Sequence, residues 1–165
     1  MRVGVVETLP RQDKAALADF SDVSVERALK SFLAAVGTED SLFVAEPEGI
    51  QLEGGDSGEK VCAGTIRLKF RDEKMAGNRA THFFLLDRLS ELLRQAGSTE
   101  SLRALLCLRA AGEQEGKFAI IVSLEATGAS TEQAGLRWGL GLAHVQQALL
   151  FTSRSLRQQL MQGGN

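Results

Sequence analysis

The sequence is poor in the residues that build metal and disulfide sites. Its two cysteines are Cys62 and Cys107, and neither has a Cys or His at the spacing of a metal-ligand set. We therefore expect two buried, reduced thiols, with no metal ion and no cofactor. Because reduced thiols are typical of reducing compartments, the expected location is the cytoplasm.

Aromatic residues and net charge are also low. Tyr is absent, aromatic residues make up 5% of the chain, and the formal net charge is -2. A saturating cationic surface for duplex DNA is therefore not expected. Proteins that bind single-stranded nucleic acid usually stack bases on aromatic side chains, and few such side chains are present here.

Long apolar runs are missing too. No stretch approaches the roughly 20 apolar residues of a membrane span. Residues 1–14 lack the apolar segment of about 7 to 15 residues that a signal peptide contains. We expect neither a signal peptide nor a membrane partner.

The chain has the size and composition of one globular domain. Of its 165 residues, 44% are hydrophobic and 24% are charged, which is close to the average for folded domains. We predict a single domain over residues 1–165, with an N-terminal extension at 1–23, a core at 24–160 and a frayed tail at 161–165. Residues 1–60 hold six Lys or Arg and twelve Asp or Glu, an asymmetry that would help two copies orient against each other.

Apolar residues recur at helical spacing in four segments. We predict helices from Pro10 to Phe20, over 25–36, from about 81 to 96, and over 131–160. Ser130 and Gln133 fit a capping box at the start of the last helix. That helix would be about 45 Å long at 1.5 Å per residue.

Other segments alternate between apolar and polar residues, as strands with one buried face do. We predict strands at 42–44 and 50–52, joined by a turn at Glu46–Gly49, and further strands at 62–70, 102–108 and 118–124. A glycine-bearing link at 112–116 makes the last two a hairpin. These elements predict an α+β fold, in which an antiparallel sheet has helices on one face and a long C-terminal helix.

The long last helix carries the main candidate binding surface. Leu136, Leu140 and Leu150 lie on a flank of its apolar stripe, and Gly135 and Gly139 would let another backbone approach closely. Two interpretations are open: the helix packs on its own sheet, or it forms an interface with a partner or a second copy. The candidate partner-binding residues are Gly135, Trp138, Gly139, Leu142, Val145 and Leu149.

A basic row is expected on the exposed face of the sheet. It consists of Arg67, Lys69, Arg71, Arg103 and Arg109. Such a row could follow the backbone of a single-stranded nucleic acid. The outward positions carry no Phe or Trp, so a solvated sheet face is the other interpretation.

Catalytic motifs are weak. Gly55–Gly58 spells the tetrapeptide around the nucleophile of chymotrypsin-like serine proteases, but His82 and His144 follow it, whereas that family places its His first. Neither His has a carboxylate or a second His at a spacing that builds a site. The glycines of the last helix do not lie between a strand and a helix, as a nucleotide-binding motif requires. We therefore expect a protein that is not an enzyme.

From Ser24 onward, the predicted order is a helix, antiparallel strands, a helix, two strands and a long amphipathic helix. This order resembles that of the class I type III secretion chaperones. The resemblance covers most of the chain after Val23 and implies a small, acidic, cytoplasmic homodimer that holds an extended segment of another protein. This chain is only mildly acidic, and it has an additional N-terminal piece, Val3–Phe20.

Two functions remain as hypotheses. The first is a non-enzymatic protein-binding, chaperone or adaptor domain that acts as a homodimer through its long helix. The alternative is a single-stranded nucleic-acid-binding protein that uses the basic sheet face.

Overall fold

The computed structural model describes residues 2–6, 23–54, 58–96, 101–111 and 116–163. These residues form, in chain order, β1 (Arg2–Val6), α1 (Val23–Val36), β2 (Phe43–Gly54), β3 (Lys60–Phe70), α2 (Glu73–Ala76), α3 (Arg79–Gln95), β4 (Leu102–Ala110), β5 (Phe118–Gly128) and α4 (Thr131–Gln162). The predicted helix that ends at Phe20, most of the glycine motif at 55–58 and most of the hairpin link at 112–116 lie outside the described residues.

All five strands join one sheet in the order β1-β4-β5-β3-β2. Strands β2 to β5 pair antiparallel, and β1 adds to the β4 edge in parallel. The predicted hairpin of β4 and β5 is present, with Leu102 opposite Ala126 and Ala110 opposite Phe118. The α+β fold with an antiparallel sheet and a long C-terminal helix is therefore confirmed, and the parallel strand β1 is an addition to it.

Strand β2 corrects one prediction. Phe43–Gly54 is a single strand that pairs with β3 along its whole length, rather than two short strands joined by a turn. Pro47 and Gly49 lie opposite consecutive residues of β3, so Glu48 is an extra residue in a β-bulge. Proline is tolerated at a bulge or on an edge strand, and β2 is both bulged and at the edge.

The helices cover one face of the sheet. Alternate residues of β3, β4 and β5 point to this face and form one hydrophobic core with apolar residues of α1, α3 and α4. On β3, for example, Ile66 and Leu68 are buried, and the residues between and beside them are half-buried. Because α4 contacts both α1 and α3, it is the middle helix of the layer.

Side-chain caps set the start of the helices. The Asn78 Oδ1 accepts a hydrogen bond from the Thr81 N–H at 3.1 Å where α3 begins. At the start of α4, the Ser130 Oγ accepts the Gln133 N–H at 3.1 Å, as the capping box predicts. The Gln133 side chain reaches back one residue further than predicted, to the Ala129 N–H at 2.8 Å. These bonds fix the direction in which α4 leaves the sheet.

Candidate interaction surface

Helix α4 has two apolar faces, and the first lies against the sheet. Trp138, Leu142, Val145 and Leu149 are each no more than 1% exposed. The Trp138 Nε1–H donates a hydrogen bond to the Leu124 carbonyl of β5 at 3.2 Å. The sequence marks these four as candidate partner-binding residues, and the structure corrects that assignment because they belong to the core of their own chain.

The two glycines of the candidate set also pack within the chain's own fold. Gly135 is buried, and a Cβ placed on Gly139 would lie 3.2 Å from the Ala28 Cβ of α1. The small residue at 139 therefore allows α4 to approach α1 of the same chain. Of the two interpretations, packing within the chain's own fold applies to all six candidate residues.

The second apolar face of α4 points away from the sheet. We call it the outer ridge, and it consists of Leu136, Leu140, Ala143, Leu150 and Phe151. Leu136 and Leu140 are 58% and 53% exposed, and Leu150 and Phe151 are 37% and 49% exposed. Because a helix turns once in about 3.6 residues, these positions share one side of α4, opposite the buried side. The described residues therefore leave this stripe partly exposed.

A charged residue flanks the outer ridge toward each end of α4. Glu132 and Arg154 are both exposed, and neither has an ion-pair partner among the described residues. After Glu132, α4 contains three arginines and no Asp or Glu. The Arg88 guanidinium of α3 lies 6.0 Å from the centre of the Phe151 ring, which is within the range of a cation–π contact. This side of α4 thus carries apolar side chains before and after the exposed Gln147, an acidic residue at its start and a basic residue towards its end.

The predicted basic row lies on the other face of the sheet, where acidic residues of β2 pair with part of it. Arg67 forms an ion pair with Glu48 and lies 4.0 Å from Glu46. The Lys69 Nζ lies 2.8 Å from the same Glu46 carboxylate. These pairs leave little uncompensated positive charge on this part of the face.

The remaining cations of the row also have partners. Arg71 is at the end of β3, and its guanidinium donates to two backbone carbonyls after α1 at 3.1 and 3.2 Å. The Arg103 Nη1 lies 3.7 Å from a Glu125 carboxylate oxygen on β5, and Arg109 is partnered as well. The structure therefore brings four of the five residues to one face and places Arg71 at its edge.

The middle of this second face of the sheet consists of apolar side chains that are buried. Cys107 on β4 and Ile121 on β5 lie opposite each other and are 0% and 1% exposed. The aromatic residues of the described strands, Phe43, Phe70 and Phe118, all belong to the core on the helical face. In the described part of the sheet, a nucleic acid base would find no aromatic ring for stacking on this face.

The histidines do not assemble a catalytic site. His82 is 1% exposed, and its ring nitrogens lie 2.8 Å from the Asn78 carbonyl oxygen and 3.1 Å from the Phe118 carbonyl oxygen. These contacts hold the imidazole between α3 and β5. His144 is half-buried on α4. Within the described ranges, no group of three or more His, Cys, Asp or Glu residues could hold a metal ion.

An open cavity of about 400 Å³ lies beside β2, β3 and the start of β5. Its charged lining includes Lys69 paired with Glu46 at 2.8 Å and Lys117 paired with Glu73 at 3.3 Å. These pairs occupy the cations and carboxylates that would otherwise orient a ligand. The cavity therefore gives a weaker candidate site than the outer ridge.

A carboxyl with a shifted pKa lies on α1, away from this cavity. The hydrogen bond from the Lys30 Nζ to the Glu26 Oε1, 2.6 Å, and the attraction of the Lys30 charge lower the pKa of the Glu26 carboxyl. The two residues are spaced i,i+4 on an exposed helix surface. This is an ordinary helix ion pair and not part of a cleft.

The sequence contains part of the signal for the outer ridge. Leu136, Leu140 and Leu150 recur on one flank of the last helix, so the helix is apolar on two sides. Periodicity alone does not tell which side faces the sheet. That choice is made by contacts between α4 and residues distant in sequence, such as the bond from Trp138 to Leu124.

Comparisons of the chain with protein-family models, with curated proteins and with solved structures gave no match. The resemblance to the class I type III secretion chaperones therefore stays a prediction. Among the helices described, none combines the length and the apolar character needed to cross a membrane. The fold and its surface define the class: an α+β domain with a helical layer on one face of a five-stranded sheet and, among the described residues, a partly exposed apolar ridge on α4.

Proposed function

We propose that this chain is a non-enzymatic protein-binding domain of the chaperone or adaptor kind, which acts in the cytoplasm as a homodimer. Its contact surface is the outer ridge of α4. The observation that carries this proposal is the exposure of Leu136, Leu140 and Phe151 along one side of a helix whose opposite side is already buried. A helix that is apolar on both sides is typical of one that packs against two neighbours.

The energetics favour a partner for this ridge. Fully burying an exposed Leu or Phe side chain is worth about 1.5–3 kcal/mol, and these side chains, which are 37% to 58% exposed, would gain about half of that. A contiguous apolar stripe on a soluble domain marks an interaction surface more often than isolated apolar residues do. Four large side chains in one row therefore supply the apolar centre that protein interfaces have.

A protein partner is better supported than a nucleic acid. Arg67, Lys69 and Arg103 each lie within 4.0 Å of a carboxylate. Those ion pairs would have to break before the cations could release counterions on binding a phosphate backbone. The outer ridge requires no such rearrangement because its apolar side chains are already exposed.

The test is the mass of the full chain in solution. We expect the wild-type chain to elute at twice its 17.8 kDa in size-exclusion chromatography with light scattering. The double variant Leu136→Glu with Leu140→Glu places four carboxylates in a symmetric interface. It should raise the Kd of the dimer by about a hundredfold or more, because buried unpaired charges are costly.

The matched control is Leu160→Glu. Leu160 is on the same helix and is 58% exposed, as Leu136 is, but it lies on another side of α4 beyond the ridge. The control should keep the dimer. A monomeric wild-type chain at micromolar concentration, or a double variant that dimerises as well as the control, would refute the proposal.

A further inference from the structure

We propose that two outer ridges pair antiparallel, with Ala143 of each chain at the two-fold axis. This inference rests on the proposed function, because it gives the arrangement of the homodimer. Its basis is the placement of two residue pairs at equal distances before and after Ala143, namely Leu136 with Leu150 and Glu132 with Arg154. The partner is a second copy of this chain, and its α4 is the element that covers the ridge.

The first step is the spacing of the apolar residues. In an antiparallel pair about a two-fold axis at Ala143, a residue a given number of positions before 143 faces the residue the same number after it. Leu136 precedes Ala143 by seven positions and Leu150 follows it by seven. Each Leu136 therefore packs against the Leu150 of the second copy, and one such contact lies on each side of the axis.

The second step is the size of the residue at the axis. Ala143 is exposed and has only a methyl group to keep the two backbones apart. Helices approach within about 8–10 Å depending on the side chains at the contact, and a pair of Ala residues allows the shorter distance. This close approach lets the flanking leucines reach each other across the axis.

The third step is charge. Glu132 precedes Ala143 by eleven positions and Arg154 follows it by eleven, so each Glu132 faces an Arg154 of the second copy. A parallel pair would instead place Glu132 against Glu132 and Arg154 against Arg154. Because both side chains lack a partner within the described part of their own chain, the charge pattern selects the antiparallel pair.

These residues also share one strip of the helix. Positions 132, 136, 143, 150 and 154 are separated by four or seven residues, and both spacings return to nearly the same side of an α-helix. All five are exposed. Along this strip, an acidic residue, a leucine, an alanine, a leucine and a basic residue follow one another. In an antiparallel copy, each leucine faces a leucine and each acidic residue faces a basic one.

The first experiment is charge reversal followed by rescue, measured as the Kd of the full-length dimer by sedimentation. Glu132→Arg alone and Arg154→Glu alone should each raise the Kd by about five- to tenfold, since each puts two like-charged pairs into the interface. The double variant Glu132→Arg with Arg154→Glu exchanges the charges and should return the Kd to the wild-type range. A double variant whose Kd rises by the product of the two single-variant factors would overturn the inference.

The second experiment is disulfide trapping with diamide, which oxidises two thiols to one disulfide. Ala143→Cys should yield a covalent dimer, because the two Cα atoms at the axis come within the range a disulfide spans. Gln158→Cys is the matched control, exposed on the same side of α4 but far from its counterpart in an antiparallel pair. The native Cys62 and Cys107 are both buried, and wild-type chain treated alongside shows that they do not cross-link.

The outcomes separate the two proposals. A monomeric wild-type chain refutes the homodimer and this arrangement together. A stable dimer in which both cysteine variants cross-link is a parallel pair, and a dimer in which neither cross-links uses another surface. Either result overturns the antiparallel ridge, and the parallel result leaves the proposed function standing.

Discussion

Gly64 shows how one residue fixes the position of α4. A Cβ placed on Gly64 of β3 would lie 2.6 Å from the Trp138 Cζ2 and 3.1 Å from the Ile50 Cγ1. The indole has little freedom to move away, because its Nε1–H is bound to the Leu124 carbonyl at 3.2 Å. The absence of a side chain at 64 is therefore what lets the largest residue of α4 lie against β3.

We predict that Gly64→Ala lowers the free energy of unfolding by about 2–3 kcal/mol, because overpacking a rigid core forces the backbone or the indole to shift. Trp138 is the single tryptophan of the chain, so its fluorescence in a urea titration reports the unfolding. The matched control is Gly54→Ala, where an added Cβ would meet only the flexible Lys60 Nζ at 3.5 Å. Equal urea midpoints for the two variants would show that the close contact does not constrain the fold.

The sequence predicts that Trp138 belongs to an apolar stripe, and it does not predict its contact with Gly64. The two residues are far apart in the chain, and nothing in a strand pattern shows which large side chain will lie over a glycine. The capping residues are different. Ser130 and Gln133 act on backbone groups within a few residues, and their bonds in the structure follow the prediction closely.

Strand β2 shows where local signals mislead about an element. Proline and glycine within Glu46–Gly49 are typical of a turn, yet the segment continues as a strand with a bulge. The reason is non-local: β3 presents a full edge from Lys60 to Phe70, and pairing along all of it satisfies backbone groups that a turn would leave to water. One extra residue in a bulge costs less than losing half of the ladder.

We predict that the chain tolerates deletion of Glu48. Removing the unpaired residue makes Pro47 and Gly49 consecutive, which is how β3 already pairs with them. The cost is the ion pair from Glu48 to Arg67, a partly buried pair, so we expect the melting temperature to fall by about 2–4 °C, which corresponds to about 1 kcal/mol in a chain of this size.

The control for this deletion is removal of Thr65 from β3. Thr65 is in a central strand paired on both sides, and deleting it turns the side chains of half the strand to the wrong face. Circular dichroism during heating should show a cooperative transition for the Glu48 deletion and none for the Thr65 deletion. If both deletions abolish the transition, the bulge is required for folding.

For the molecule as a whole, the sequence predicts the class of fold and leaves open the side of α4 that stays outside. Trp138, Leu142 and Val145 have the same periodic spacing as Leu136 and Leu140, and both sets are apolar. Which set is buried depends on how well each side of α4 packs against the sheet, α1 and α3. This packing involves residues from most of the chain. The sequence-based choice of Trp138 as a docking residue follows from its position beside Gly135 and Gly139, whereas its burial follows from this packing.

If the outer ridge is a dimer interface, stability and concentration are linked. Since only the folded chain can form the dimer, mass action raises the melting temperature as the protein becomes more concentrated. For a dimer of chains of this size we expect about 2 °C for each tenfold increase in concentration. Differential scanning calorimetry over a hundredfold range should therefore show a shift of about 4 °C.

Variants of the ridge show whether this concentration-dependent shift in melting temperature comes from the outer ridge. Leu136→Glu with Leu140→Glu should melt at one temperature over the whole range, because its folded state is a monomer. Leu160→Glu should keep the wild-type dependence, since its side chain lies off the ridge. A wild-type chain whose melting temperature does not change with concentration would have no stabilising dimer, and its ridge would be exposed in the free protein. A dependence that survives in the double variant would place the interface elsewhere on the molecule. The edges of the sheet, where strands of two copies can pair, would be the next surface to test.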